Sequence, residues 1–358
     1  VSTLEPRLAF DVPAERIPTA PPERRGVARD GVRLLVADGG TITHARFHEL
    51  GRFLEPGDLL VVNTSTTRPS ALAGRLSGNA DGRPITRHAV VHFSTRTDHG
   101  GWVVELRRPD GSGPILDAAS GDVVQLAGNG TLTLGTPVAA GPEGAGVRLW
   151  SADVDVPGGR VTAHLAQHGR PITYGDAPAW PLEDYQTVFA RHPGSAEMPS
   201  AARPFSLSLV ADLVSRGIVL APLQLHAGVS SQEAGEAPGA EQVRVGERTA
   251  ALVNHTRASG GRVIAVGTTV TRALETAADA GGTVRAVRGW TDLVITPSRG
   301  VRVVDGIISG WHEADASHLQ LLEAVAGPRV LDAAYRQALD VGYDWHEFGD
   351  AALLLPDR

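Results

Sequence analysis

The chain has 358 residues, 42% hydrophobic and 20% charged, a globular balance with enough length to bury a sizeable core in one or two domains. It has no cysteine, which excludes disulfides, thiolate nucleophiles and cysteine-held zinc or iron–sulfur centres. With 33 Lys and Arg against 40 Asp and Glu the net charge is −7, so composition offers no argument for a basic nucleic-acid face.

In chain order, VSTLEPRLAF lacks the basic start and apolar run of a signal peptide, and no apolar stretch has the length of a membrane span. A cytoplasmic protein is expected. The proline-rich arm FDVPAERIPTAPPERR (10–25) reads as extended. VRLLVADGGTITHARF (32–47) reads as a hairpin turning at Gly39 and Gly40. LLVVN (59–63) is a buried strand running into the polar tract TSTTRPS (64–70), a common place for a site. From 72 to 153 short alternating runs such as AVVHFS, GWVVELRR and TLTLG stand between glycine-rich turns, with no helical period. The reading is an α/β main domain with an inserted small β-barrel domain. The main domain takes residues 1–71 and 154–358, and the insertion 72–153. One continuous mixed domain is the alternative.

The second part alternates helices and strands. Helices are expected over 161–169, 206–217 with Ser206 as cap and Gly217 as stop, 246–261, 268–282, 316–327 and 328–342. Strands are expected over 262–267, 291–296, 301–308 and 351–356.

VIAVGTTVTRALE (263–275) carries the strongest local signal. A buried strand ends at Gly267, where a missing Cβ admits a ligand, and Thr268 and Thr269 bring hydroxyls to the free amides of a helix start. Arg272 and Glu275 share a helix face, which suits a carboxylate or hydroxyl-rich ligand; a capped helix with a surface ion pair is the plainer reading. EDYQTVFA (183–190) sets Tyr185 and Gln186 among apolar neighbours, as a second candidate or as packed structure. In QLHAG (224–228), His226 ends a strand at a cleft or sits hydrogen-bonded in the core. HEADASH (312–318) brings His312, Glu313, Asp315 and His318 together without the HExxH spacing, so no metal is expected.

Read together, GDLLVVNTSTTRPSALAGRL (57–76), DYQTVFA (184–190), GRVIAVGTTVTRALE (261–275), GWTDLVITP (289–297), VDGIISGWHEADASHLQLLEAVAG (304–327) and AYRQALDVGYDWHEFGDAALLL (334–355) resemble the S-adenosylmethionine:tRNA ribosyltransferase-isomerase family of queuosine biosynthesis. The resemblance runs collinearly over nearly the whole chain. It implies an α/β domain with an inserted β-barrel and a metal-independent transferase-isomerase whose donor is S-adenosylmethionine. The family moves the donor's ribosyl portion onto the aminomethyl group of a deazaguanine base in tRNA, rearranges it to an epoxycyclopentane, and releases adenine and methionine. The sulfonium acidifies the adjacent C–H and supplies the leaving group, leaving the protein to provide a base, orientation and electrostatics.

Several cleft loops depart from the family pattern: MPSAARPFS (198–206) replaces a PTAGLHF-like loop, LHAGVSSQEAGEAP (225–238) loses a Thr-Phe pair, GAEQVRVGE (239–247) lacks paired histidines, SGWHEAD (309–315) lacks a proline, and PITYGD (171–176) stands for a PLPPY-like segment. Rewritten loops on a kept scaffold point to changed ligand contacts. The expectation is therefore an S-adenosylmethionine-using transferase or lyase with a small-molecule acceptor, tRNA being a doubtful partner. A true tRNA ribosyltransferase-isomerase and a non-catalytic nucleoside-binding protein are the alternatives. Asn63, Thr64, Arg68, Gln186, Gly267, Thr268, Thr269 and Arg272 are the expected donor contacts. His226, then His312, with Tyr185 in the same pocket, are the expected catalytic residues.

Overall fold

The computed structural model describes residues 10–80, 83–98, 100–141, 146–174, 177–229, 239–314 and 318–357. The main sheet begins with the hairpin β1 (Arg33–Asp38) and β2 (Thr41–Arg46), followed by β3 (Leu59–Asn63) and the short β4 (Ser65–Thr67). The chain then leaves for β5 (Ala71–Ala80), β6 (Arg83–Arg96), β7 (Trp102–Arg107), β8 (Val123–Leu126), β9 (Gly130–Ala140) and β10 (Val147–Asp155). These six close into an antiparallel barrel in the order β10-β7-β6-β5-β8-β9. The inserted barrel on an α/β body is thus as the sequence implied.

On its return the chain forms α1 (Val161–His168), β11 (His192–Ser195), α2 (Leu207–Ser215), β12 (Val219–His226), β13 (Glu241–Val245), α3 (Glu247–Ala258), β14 (Val263–Val266) and α4 (Thr268–Ala277). It ends with β15 (Val287–Thr291), β16 (Gly306–Gly310), α5 (His318–Ala326), α6 (Pro328–Val341) and β17 (Ala351–Leu355). The main sheet runs β15-β13-β12-β3-β14-β16-β17-β1-β2, and β4 pairs with β11 beside it. Its centre, β12-β3-β14-β16, is parallel. β3 shows why LLVVN is apolar throughout: Leu59 and Val61 enter one core and Leu60 and Val62 the other. The first core is covered by α3, α4, α5 and α6, the second by α2 and the turn around Phe47 and Leu50.

The expected Ser206 cap forms, whereas α4 starts behind Gly267 with no side-chain cap. The Ser206 hydroxyl accepts from Leu209 N at 3.1 Å, and Gly342 (φ 72) closes α6 behind Pro328 in its first turn. Four expectations shift. The arm over 10–25 contains single 3-10 turns at Ala14–Arg16 and Pro22–Arg25 rather than running wholly extended. α4 stops at Ala277 instead of 282. The strand expected over 291–296 is β15, placed earlier, because Leu293, Val294 and Ile295 leave the sheet to wall a cavity. The strand expected over 301–308 starts only at Gly306, since the Arg302 and Val303 amides are taken by the Glu275 carboxylate at 2.9 Å each.

Candidate active site

A cavity of about 240 Å³ lies outside the carboxyl ends of β14 and β16, where open α/β sheets carry their ligands. Gly267, Thr268 and Thr269 form one wall. Gly267 has φ 99, a left-handed value that favours glycine, and a Cβ there would sit 3.3 Å from that of Ala201. Thr271 N turns back to Gly267 O at 3.2 Å. The hydroxyls of Thr268 and Thr269 thus stand beside the positive start of α4.

Arg272 lies one turn further along α4, buried and lining the same cavity. Its guanidinium pairs with Glu241 at the start of β13 and donates to Leu293 O at 3.0 Å and Gly239 O at 3.3 Å. Burial raises the Glu241 pKa, with Arg272 opposing. Glu275 does not join Arg272 on a ligand-facing surface. It turns the other way, to Arg299 at 3.1 Å and the amides before β16.

Asn63 is wholly buried and its amide is spent on the strands. Nδ2 donates to Leu225 O at 2.8 Å, and Oδ1 accepts from Ser65 N at 3.0 Å and Leu225 N at 3.1 Å. A longer contact of 3.4 Å from Nδ2 to Thr269 Oγ1 joins the two strand ends. The other members of that tract serve the frame. Thr64 Oγ1 donates to Leu223 O at 2.9 Å. Arg68 turns toward the barrel, donating to Phe93 O at 2.9 Å and stacking 4.6 Å over Trp102, with burial lowering its pKa to about 10. Gln186 pairs with both the amide (3.2 Å) and the carbonyl (2.8 Å) of Thr67. Tyr185 packs against Phe348 at 5.4 Å, and burial raises its pKa.

Among the described histidines, His312, His318 and His346 line the cavity. His312 Nε2 is 3.1 Å from Ser309 Oγ, and the His312 ring stacks on His318 at 4.5 Å. Burial, then the neighbouring His318 and His346, hold its pKa well below the usual imidazole range. His318 is lowered to about 4, by burial and then by Arg272 and His346. His226 lies outside the cavity wall, with Nδ1 2.7 Å from Ser65 Oγ and Gly194 packed against its ring. Burial, then Arg68 and His192, lower its pKa. Asp315 falls outside the described residues, as does most of the loop over 225–238. Among the described residues no group of three or more His, Asp or Glu side chains is arranged to hold a metal ion.

Two carboxyls escaped the sequence reading. Glu347 and Glu197 line the cavity together with Glu241, the partner of Arg272. Burial, then the charge of Glu197, raises the Glu347 pKa to about 8, with Arg203 opposing. Tyr174 donates its hydroxyl to Glu197. The available signal was faint: Glu197 stands between buried Ala196 and Met198, and Glu347 directly precedes buried Phe348. The segment holding Glu347 is bent at His346, whose φ of 69 is unusual for a residue with a Cβ.

The queuosine biosynthesis protein family matches residues 6–354. An S-adenosylmethionine:tRNA ribosyltransferase-isomerase of Moorella thermoacetica is 34% identical over 97% of this chain and 98% of its own. One from a Methylobacterium species is 35% identical over 96% of each chain. The crystal structure of the S-adenosylmethionine tRNA ribosyltransferase of Thermotoga maritima matches with a TM-score of 0.52 and 25% identity, over 97% of this chain and 99% of that one. These matches correct the expectation of a small-molecule acceptor with tRNA as a doubtful partner. Relatives named for tRNA align over nearly the whole chain, so the rewritten loops are variation inside one family. The chain belongs to the queuosine biosynthesis protein family, a family of S-adenosylmethionine-dependent transferase-isomerases.

Proposed function

We propose that this protein is a cytoplasmic S-adenosylmethionine:tRNA ribosyltransferase-isomerase. It moves the ribosyl portion of the donor to the aminomethyl group of a 7-deazaguanine base in tRNA, and adenine and methionine leave. The observation that carries this reading is the cavity in which a helix start and two electrostatically coupled carboxyls meet at the ends of buried strands.

In this proposal the amides and hydroxyls at Thr268 and Thr269 hold the anionic or hydroxyl-rich part of the donor, and Gly267 lets it approach the backbone. Arg272 shapes the wall through Glu241, and Asn63 fixes Thr269. Glu197 and Glu347 face the sulfonium, whose positive charge favours their ionised forms. Glu347 is the base for the 5′ proton, because a pKa near the working pH serves proton abstraction best. The geometry supports His312 over His226 and Tyr185 as a second polar contact, since His312 alone of the three borders the cavity. Its depressed pKa keeps it neutral and suits it to hydrogen bonding.

Incubation with S-adenosylmethionine and tRNA carrying the 7-aminomethyl-7-deazaguanine base, followed by chromatography, tests the reaction. Adenine and methionine should appear in equal amounts, and only when the tRNA is present. Donor left intact, or adenine released equally without tRNA, overturns the reading.

A further inference from the structure

A net negative chain offers no basic face by composition, yet the topology builds one at the edge of the main sheet. β12, β13 and β15 are antiparallel neighbours in which Gln224, Arg244 and Arg288 stand in one row, and His226, Gln242 and Trp290 in the next. Burial alternates along β13 and along β12 from Ala221, and the register carries the same two faces onto β15. Leu225, Val243 and Thr291 point into the core, while Arg244 and Arg288 are exposed on the other face. Arg244 and Arg288 are therefore directly opposite each other, and neither makes a hydrogen bond or ion pair among the described residues. Like charges directly opposite on paired strands destabilise a sheet. An anion placed between them removes that cost.

The second row leads inward. Trp290 is held by its Nε1 donating to Asp98 of the barrel at 2.9 Å, and it borders a groove of about 310 Å³ between barrel and sheet. That groove shares Gly228, Val229, Gly239 and Glu241 with the donor cavity. Basic side chains flanking a fixed aromatic at the mouth of a groove match the needs of unpaired RNA. Phosphates take the cations, and a splayed base takes the ring and the cleft.

We propose that the outer face of β12, β13 and β15 is the docking surface for the RNA strand, with Arg244 and Arg288 gripping adjacent phosphates while the target base passes beside Trp290 toward the donor cavity. This rests on the ribosyltransferase reading above.

Binding of tRNA carrying the 7-aminomethyl-7-deazaguanine base is measured by fluorescence anisotropy over a series of salt concentrations. The full-length wild type is compared with R244A/R288A, with R244K/R288K, and with R336A, which removes an exposed arginine on α6. S-adenosylmethionine titration calorimetry is run on each. R244A/R288A should lose about tenfold or more in affinity at low salt. Its plot of log affinity against log salt should be shallower by about 1.4, the slope lost with two single-strand phosphate contacts. R244K/R288K and R336A should stay within about threefold of wild type, and donor binding should be unchanged in all. Wild-type affinity in R244A/R288A, or a loss with the wild-type salt slope, overturns the docking surface while leaving the reaction standing. A wild type that binds donor but no tRNA overturns the ribosyltransferase reading itself. If R244A/R288A fails to bind donor, R244E alone replaces it: a loss of affinity with a salt slope shallower by about 0.7 or more, for the one contact removed, is expected, and wild-type affinity or the wild-type slope overturns the docking surface.

Discussion

Glu347 is a carboxyl kept protonated near neutral pH by its surroundings, and that has consequences for stability as well as chemistry. In the unfolded chain it ionises in the ordinary carboxylate range, whereas in the fold its pKa is about 8. Between those values folding takes up a proton, so its stabilising contribution is complete at low pH, falls as pH rises, and is gone above about 8. Melting curves should show a drop in Tm from about pH 5 to 8 that is smaller in Glu347→Gln, where this position no longer titrates. The same substitution should cut adenine release by about a hundredfold or more, the usual range for a lost base, with a much smaller loss of donor affinity by calorimetry. Activity within a fewfold of wild type would remove Glu347 from that role. Asn63→Ala tests the neighbouring strand ends. It strips partners from the buried Leu225 carbonyl and from the Leu225 and Ser65 amides, and should cost about 2–4 kcal/mol in urea unfolding.

Packing between elements sets where His226 can act. A Cβ at Gly194 of β11 would meet His226 Nδ1 at 2.3 Å, so Gly194→Ala must push the ring away from Ser65. We expect a loss of about 1–3 kcal/mol from this overpacking, with adenine release retained to within tenfold. A fall as deep as that of Glu347→Gln would instead return the proton-transfer role to His226. On the barrel, β7 sends Trp102, Val104 and Leu106 inward and Glu105 and Arg107 to the other side. There Glu105 accepts from Arg107 and Arg148 at 3.1 Å each, with His92 3.4 Å away. Burial pushes the Glu105 pKa up, but His92 and the two arginines outweigh it and hold the carboxylate ionised. Glu105→Ala should destabilise by about 3–5 kcal/mol in the same unfolding experiment, because it leaves buried cations uncompensated. Glu105→Met with both arginines also made apolar should recover much of that.

Across the whole molecule, Arg272 joins α4 to β13 and to the segment after β15, and so holds two walls of the cavity in register. Arg272→Ala should lower both global stability, by about 3–5 kcal/mol, and donor affinity, whereas a surface change such as Arg336→Ala should alter neither. Much of the architecture could be read along the chain, because its causes are local. Five apolar residues in LLVVN require cover on both faces, the Ser206 cap and the glycines after α2 and α6 fix helix ends, and the missing cysteines restrict the chemistry. β13 was hidden because QVRV alternates over too few residues to stand out, and the Leu293–Ile295 run resembled a strand because cavity walls and sheet cores draw on the same apolar side chains. Which polar side chains remain free for chemistry was decided only by the tertiary structure. Asn63, Arg68 and Gln186 look as reactive in sequence as Thr268 and Thr269, but each is consumed by backbone groups far away along the chain. Burial obliges every polar group to find a partner, and partners at such separations are chosen by the fold.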